Sequence, residues 1–476
     1  MAFEIPDGLM VSVSGVRGRV GEALTPEVVA RFAAAFGAYL RETAGGRRPR
    51  VVLGRDSRTS GPMFARVATA ALQSVGCDVI DVGLAPTPTT LYAIRHHGAD
   101  GAIVVTASHN PVEWNALKFA SGAGMFLDAD EGPRMRAYVA DRPLPYAGWD
   151  GLGEVSEDPA AAARHVDAVL GVPYLDIDAL RRRRFKVALD CIRGAGSTVL
   201  PRLLEELGCE VVGLNLEPDG RFPREPEPVA QNLGDLERLV RESGADLGLA
   251  TDPDADRLSL VSGSGRAIGE DFTLALAAEL VLRHRRGPVV TNLSTSRVVE
   301  DVAAAAGVPF YRTAVGEINV ARRMEAEGAV IGGEGNGGVI LPDVHLTRDA
   351  VVAAALVLQL LVETGRTLDE HVAGHRSYVI IKDKLPRDAG RLEDAYAALL
   401  GRLGAPEVDR QDGLRLAWPA DAKWLHLRPS GTEPILRIMA EAPTEADARD
   451  LVAKARAALL PSGTHPAAVG VQEHTT

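Results

Sequence analysis

The sequence is poor in cysteine, with Cys77, Cys191 and Cys209 the only three in 476 residues. Three scattered thiols are too few for a disulfide framework or a zinc knuckle, and they fit a reducing cytoplasm. Cys77 and Cys209 each sit between a glycine and an apolar strand, and read as small buried hydrophobes. Basic charge is also short: 52 Lys and Arg stand against 64 Asp and Glu, a net charge of −12. Nucleic acid and acidic membrane surfaces both need a basic footprint, so neither is expected as the main partner. The longest apolar run, residues 350–362, is interrupted by Gln359 and falls short of the ~20 residues that span a bilayer. The first residues lack the basic and apolar regions of a secretory signal. A cytoplasmic protein without a membrane partner is therefore expected. A Walker A sequence and a dinucleotide-binding fingerprint are lacking too, so neither ATP nor NAD is expected as a cofactor.

What is present describes a globular chain. Apolar residues make up 46% and charged ones 24%, which excludes global disorder. At roughly 150 residues per domain the length suggests about three domains. Helical and strand periods alternate, as in α/β layers. Three stretches share one plan of strand, small or polar loop, helix, glycine and second strand. They begin at Val51, Lys186 and Pro288, with second strands after Gly76, Gly208 and Gly307. These predict three related βαβ units. Joins are expected in the Gly-, Pro- and acid-rich segment at 143–158 and again at 256–268. The expected division is 1–153, 154–256, 257–370, a smaller α+β domain at 371–460, and a loose tail at 461–476.

Four loops, each directly after an apolar strand, are hard to explain by packing alone. Ligands gather at the carboxyl ends of strands in open parallel sheets, so four such loops can line one cleft. In Thr106-Ala-Ser-His-Asn-Pro111, Ser108 is either a nucleophile or phosphoryl carrier, with His109 beside it, or a helix cap. Lys118, downstream, either returns positive charge to this site or is solvated. In Thr251-Asp-Pro-Asp-Ala-Asp-Arg257, carboxylates at Asp252, Asp254 and Asp256 can converge on one hard cation. A calcium EF-hand is excluded, because its sixth and twelfth positions here hold Arg257 and Gly263. Clustered carboxylates repel unless a cation or Arg257 neutralises them, and Mg2+, which keeps open positions for phosphate oxygens, suits the set best. The other reading is a solvated acidic turn.

In Gly332-Gly-Glu-Gly-Asn-Gly-Gly338 the glycines let backbone approach a ligand closely, and Glu334 and Asn336 alternate toward hydroxyl or amine groups. A wide turn is the alternative. Glu317 is a further acidic candidate. In Arg428-Pro-Ser-Gly-Thr-Glu-Pro434, Ser430, Thr432 and the Gly431 N–H can ring a phosphate, with Arg428 and Arg437 as charged donors. The alternative there is an ordinary hairpin turn.

Together and in order, the four loops resemble those of the α-D-phosphohexomutase superfamily: its phosphoserine, metal, sugar and phosphate loops. Ser14-Gly-Val-Arg17-Gly18, Gly54-Arg-Asp-Ser-Arg58 and Pro86-Thr-Pro88 are similar to further family segments. The resemblance implies four domains around a central cleft. It implies an isomerase in which phospho-Ser108 passes its phosphoryl group to a hexose phosphate through a bound hexose 1,6-bisphosphate. One Mg2+ on Ser108, Asp252, Asp254 and Asp256 is implied, with Arg17, His109, Lys118 and Arg257 as catalytic helpers. A phosphosugar is the implied partner, to a monomer or homodimer. The sugar loop departs from the usual Glu-x-Ser-Gly-His, reading Glu334-Gly-Asn336-Gly-Gly338. That form, with an acid at Glu317 able to pair with an ammonium, is similar to the phosphoglucosamine mutase branch. Interconversion of glucosamine 6-phosphate and glucosamine 1-phosphate is therefore expected, with glucose or mannose phosphates as the alternative.

Overall fold

The computed structural model describes residues 3–140, 142–386, 392–403, 407–430, 435–459 and 472–475. Each predicted βαβ unit forms with its two strands in parallel register. Arg50–Arg55 pairs with Asp78–Leu84, Lys186–Asp190 with Glu210–Leu214, and Val289–Asn292 with Phe310–Thr313. The third unit shows why. Ser296 caps the helix Arg297–Ala306 by accepting from the Val298 N–H, and Gly307 ends it at φ 64°. A left-handed residue there costs a glycine little, and it turns the chain back to the sheet.

The described strands form four sheets. The first runs Met10–Val11, Gly15–Arg19, Trp114–Ser121, Gly101–Val105, Arg50–Arg55, Asp78–Leu84, Val155–Glu157. The second runs Leu258–Ser262, Leu247–Thr251, Lys186–Asp190, Glu210–Leu214, and the third Phe310–Thr313, Val289–Asn292, Ile331–Glu334, Gly338–Ile340. The fourth is antiparallel through Glu407–Asp409, Leu414–Trp418, Lys423–Pro429, Ile435–Ala442, Val379–Pro386 and Gln472–Thr475.

Two joins fall later than expected. Val155–Glu157 adds a parallel strand to the first sheet. Leu258–Ser262, expected to open the third domain, closes the second sheet against Leu247–Thr251. The acidic loop at 252–257 is thus the turn of a hairpin rather than a boundary. Most of the expected loose tail lies outside the described residues, and within it Gln472–Thr475 pairs with the fourth sheet.

The second and third sheets share one core. Its centre is the helix Ala350–Thr364, buried from Ala350 through Leu361 and packed on the helix Asp271–His284. Burial on every side explains the apolar run at 350–362. Among the described residues, no single helix is long and apolar enough to cross a membrane.

Asp271 opens the helix Asp271–His284 inside this core, accepting from the Ser296 N–H at 2.8 Å. Burial pushes its carboxyl up to about 8 from an ordinary 3.8. Folding therefore takes up a proton, and this group's stabilising contribution, full below about pH 4, is lost as pH rises toward about 8. Asp271→Asn keeps the acceptor without the proton. The melting temperature of the wild type should fall relative to that of Asp271→Asn between about pH 4 and 8. Parallel curves would contradict this.

Candidate active site

All four loops sit where an antiparallel partner follows. Residues 106–113 join Gly101–Val105 to Trp114–Ser121, and 252–257 join Leu247–Thr251 to Leu258–Ser262. Residues 335–337 join Ile331–Glu334 to Gly338–Ile340, and 430–434 join Lys423–Pro429 to Ile435–Ala442. In the first three, both ends of the loop are anchored by paired strands. A strand, not a helix, follows Ser108, which removes the helix-cap reading.

Ser108 adopts φ 48°, a left-handed conformation uncommon for a residue with a side chain. Its N–H donates to Thr106 Oγ1 at 2.9 Å, and Thr106 Oγ1 donates to Asp56 Oδ2 at 2.6 Å. Arg58, fully buried, holds the whole loop. Its Nε donates to Asp56 Oδ2, and its terminal nitrogens donate to the carbonyls of Ser108, Asn110, Pro111 and Trp114 at 2.6–3.0 Å. All five guanidinium N–H groups are thereby used. Arg17 Nη1 donates to Asn110 Oδ1 at 2.9 Å, which places its charge beside the same loop.

Ser108 Oγ faces the acidic loop, donating to Asp252 Oδ2 at 2.9 Å, with His109 Nδ1 3.4 Å away. Burial, then the charges of Arg257, Arg17 and Arg348, hold His109 well below its ordinary value, so its ring is neutral. Asp252, Asp254 and Asp256 are fully buried, with one oxygen from each within 4.8 Å of the others. Burial and its two neighbours push Asp252 well up. Burial opposes charge on Asp254 as well, but the charge of Lys118 together with hydrogen bonds from Asp252, Thr87 and Lys118 holds that carboxyl low. Lys118 Nζ donates to Asp254 Oδ2 at 2.9 Å, and Thr87 Oγ1 to the same atom at 2.6 Å. Arg257 pairs with Glu227 at 3.2 Å and lies 3.8 Å from Asp256 Oδ1.

Two oxygens, Asp254 Oδ1 and Asp256 Oδ1, are buried with no hydrogen-bond partner among the described residues. Orphaned carboxylate oxygens are costly without a cation, so this donor set fits a hard divalent ion.

Arg348 was not evident from the sequence, yet it joins the acidic and glycine-rich loops. Its Nη2 donates to Asp256 Oδ2 at 2.5 Å and its Nη1 to Glu334 Oε2 at 2.7 Å. Its Nε lies 3.2 Å from Glu317 Oε2, and its backbone N–H donates to Glu317 Oε1 at 2.9 Å. Burial opposes its charge, but the three carboxylates raise its pKa further above the ordinary value. Asp349, next in the chain, anchors it from behind. Asp349 Oδ2 meets His165 Nε2 and His345 Nε2 at 2.7 and 2.9 Å, while Oδ1 accepts from the Val351 N–H that opens the helix Ala350–Thr364.

Glu334 also accepts from Asn292 Nδ2 at 2.7 Å and the Gly316 N–H at 3.1 Å. Asn336 Oδ1 accepts from the Gly338 N–H. The glycines of this loop serve close packing of protein on protein. A Cβ on Gly337, at φ 86°, would lie 2.4 Å from the Leu258 carbonyl, and one on Gly335 2.0 Å from Asp271 Oδ1. The loop is thereby pressed against the hairpin that carries the carboxylates.

In the fourth sheet, Arg428 and Arg437 are directly opposite across Lys423–Pro429 and Ile435–Ala442, and Lys384 is opposite Arg437 on the next strand. Three cations in one cross-strand row repel unless an anion lies over them. Lys384 is visible only through this register. Arg428 pairs with Asp412 at 2.7 Å, and Arg437 is near enough to help lower the pKa of Arg17. Ser430 is buried. Gly431 and Thr432 lie outside the described residues.

Family models for the phosphoglucomutase/phosphomannomutase alpha/beta/alpha domains I, II and III match residues 9–142, 163–265 and 269–378. The model for the C-terminal domain matches 380–458. A probable phosphoglucosamine mutase of Methanopyrus kandleri is 40% identical over 452 residues, covering 93% of this chain and 96% of that one. A phosphoglucomutase/phosphomannomutase of Thermococcus kodakarensis is 39% identical over 446 residues, with coverage of 93% and 96%. Among solved structures, a phosphoglucomutase/phosphomannomutase family protein of Burkholderia thailandensis superposes with a TM-score of 0.82 at 29% identity. That match covers 94% of this chain and 98% of the other.

Arg348→Met leaves three buried carboxylates without their shared partner, and loss of such a partner costs about 3–5 kcal/mol. The metal-free variant should melt earlier than the wild type, and added Mg2+ should restore more of its melting temperature than it adds to the wild type. Equal Mg2+ shifts in the two proteins would contradict the assigned link.

Proposed function

The chain belongs to the phosphoglucomutase/phosphomannomutase family and is an isomerase of the phosphohexomutase type, and from that premise we propose a phosphoserine mechanism on an amino sugar. Phosphorylated Ser108 donates its phosphoryl group to the free hydroxyl of a bound hexose monophosphate. The Ser108 Oγ–phosphorus bond breaks as the sugar oxygen–phosphorus bond forms, and the hydroxyl proton passes to a neighbouring base. The resulting hexose 1,6-bisphosphate turns over in the cleft. Ser108 then takes back the other phosphoryl group, leaving the isomeric monophosphate.

The observation that carries this reading is Ser108 Oγ at 2.9 Å from Asp252, inside a trio of buried carboxylates. Asp252, Asp254 and Asp256, with Ser108, would hold Mg2+, which supplies positive charge to the transferring phosphoryl oxygens. Neutral His109 is placed to accept the proton, while Arg17 and Arg257 oppose the negative charge of the phosphate. Lys118, tied to Asp254, keeps that carboxylate ionised. The row of Arg428, Arg437 and Lys384, with Ser430, would hold the non-reacting phosphate, so that remote binding energy aligns the reacting one.

Glucosamine phosphate is the preferred substrate. Glu317 and Glu334 share the single positive charge of Arg348 with Asp256, so this wall presents carboxylate oxygens in excess of cations, which suits a substrate ammonium. The second reading, glucose or mannose phosphate, is favoured by a different observation: Arg348 already pairs with both acids, leaving them to accept from hydroxyls.

Ser108→Ala should lose turnover by at least about a thousandfold, as expected when a covalent nucleophile is removed, and near-normal rates would contradict the mechanism. In the wild type, kcat/KM compared across glucosamine, glucose and mannose 1-phosphates should be highest for glucosamine 1-phosphate. A higher value for either neutral sugar would select the second reading.

A further inference from the structure

The face of the fourth sheet that meets the third carries a second charged site, outside the four loops. A cavity of about 260 Å3 lies between the helix Arg297–Ala306 and strand Phe310–Thr313 on one side and strands Glu407–Asp409 and Leu414–Trp418 on the other. Arg297, Arg312 and Arg415 line it, with Glu300 as the one acid among them and Glu407 and Asp409 from the edge strand.

Compensation of these arginines is uneven, and poorest at Arg415. Glu300 lies 3.1 Å from Arg312 and 3.8 Å from Arg297. Arg312 is further engaged by the carbonyls of Asn292 and Thr295. Burial opposes charge on Arg297, and Glu300, Tyr378 and Asp301 stabilise it, but its Nε is buried with no hydrogen-bond partner among the described residues. Arg415 is only 7% exposed. Its Nε donates to the Leu293 carbonyl at 3.2 Å and its guanidinium lies over the Trp424 ring, but no carboxylate pairs with it among the described residues. Burial and the charge of Arg312 push Arg415 down to about 9. Glu441, nearby, is committed to the Arg297 N–H and Trp424 Nε1. A buried guanidinium without its anion is costly, and the five-donor fork of arginine suits phosphate oxygens.

The opening is lined by acids: Glu407 is exposed and Asp409 accepts from Gln411. An arginine floor under a carboxylate rim matches a molecule with a phosphate at one end and hydroxyl donors at the other. We propose that this cavity binds a phosphate monoester of a polyol, its phosphate on Arg415 and Arg297 and its hydroxyls on Glu407 and Asp409. Because the walls come from both sheets, occupancy holds the fourth sheet against the third. This site is separate from the catalytic loops, and the inference holds whichever hexose those loops accept.

Calorimetric titration of the full-length protein carrying Ser108→Ala, with glucose 6-phosphate and separately with inorganic phosphate, tests this. Two binding events are expected for glucose 6-phosphate. Adding Arg415→Met should remove one and leave the other, while Arg415→Lys should keep both. Glu407→Gln, at an exposed position, should tighten inorganic phosphate about threefold by removing a rim charge, and should weaken glucose 6-phosphate at the same site. A single glucose 6-phosphate event that Arg415→Met leaves intact would overturn the site. If Arg415→Met does not fold, Glu407→Gln decides, and unchanged phosphate affinity overturns it. Equal affinity for inorganic phosphate and glucose 6-phosphate at this site would overturn the polyol assignment.

Discussion

Buried negative charge is the constraint on which the centre of this molecule depends. Asp252, Asp254 and Asp256 have no exposure to water, and carboxylates so placed destabilise the fold unless cations meet them. The chain supplies cations from different parts of the sequence. Lys118 comes from the first sheet, and Arg348 from the loop before the helix Ala350–Thr364. Even so, two oxygens remain without partners among the described residues. The compensation that holds the units together is incomplete, which is what a site fit for a hard cation requires. Folding and any metal held there would therefore draw on the same charges.

A single structural device puts the chemistry in reach. Each of the first three sheets ends its parallel run by reversing into an antiparallel strand, and the functional loop is that reversal. In the fourth sheet, wholly different in order, the strands on either side of the loop are paired antiparallel as well. Loops anchored between two paired strands hold their side chains more rigidly than free loops do. The strained backbone of Ser108 and the saturated guanidinium of Arg58 belong to the same logic. Both fix one oxygen in place against the pull of its surroundings.

Much of this was legible in the residues. The βαβ units, the four loops and the carboxylate trio all appear as local patterns, because strand period, turn glycine and alternating Asp are encoded within a few positions. The joins at 153 and 256 were misplaced because strand pairing is nonlocal: nothing near Leu258 announces that it closes the preceding sheet. Arg348 and Lys384 were missed for the same reason, since their partners lie on other strands and loops. Arg58 stood in a segment noted only for its resemblance, and its role rests on four carbonyls around residues 108–114. The glycine-rich loop leaves room for a ligand by its sequence, and at Gly335 and Gly337 the room serves Asp271 and Leu258.

The central claim is that the phosphoryl group on Ser108 is exchanged with sugar rather than with water. It is tested most directly with enzyme carrying radiolabelled phosphate on Ser108, mixed with unlabelled hexose 1-phosphate and sampled within a few turnovers. Label should leave the protein and appear in hexose bisphosphate and then in hexose 6-phosphate, with little inorganic phosphate. Label that stays on the protein while product accumulates, or that leaves chiefly as inorganic phosphate, would contradict the account.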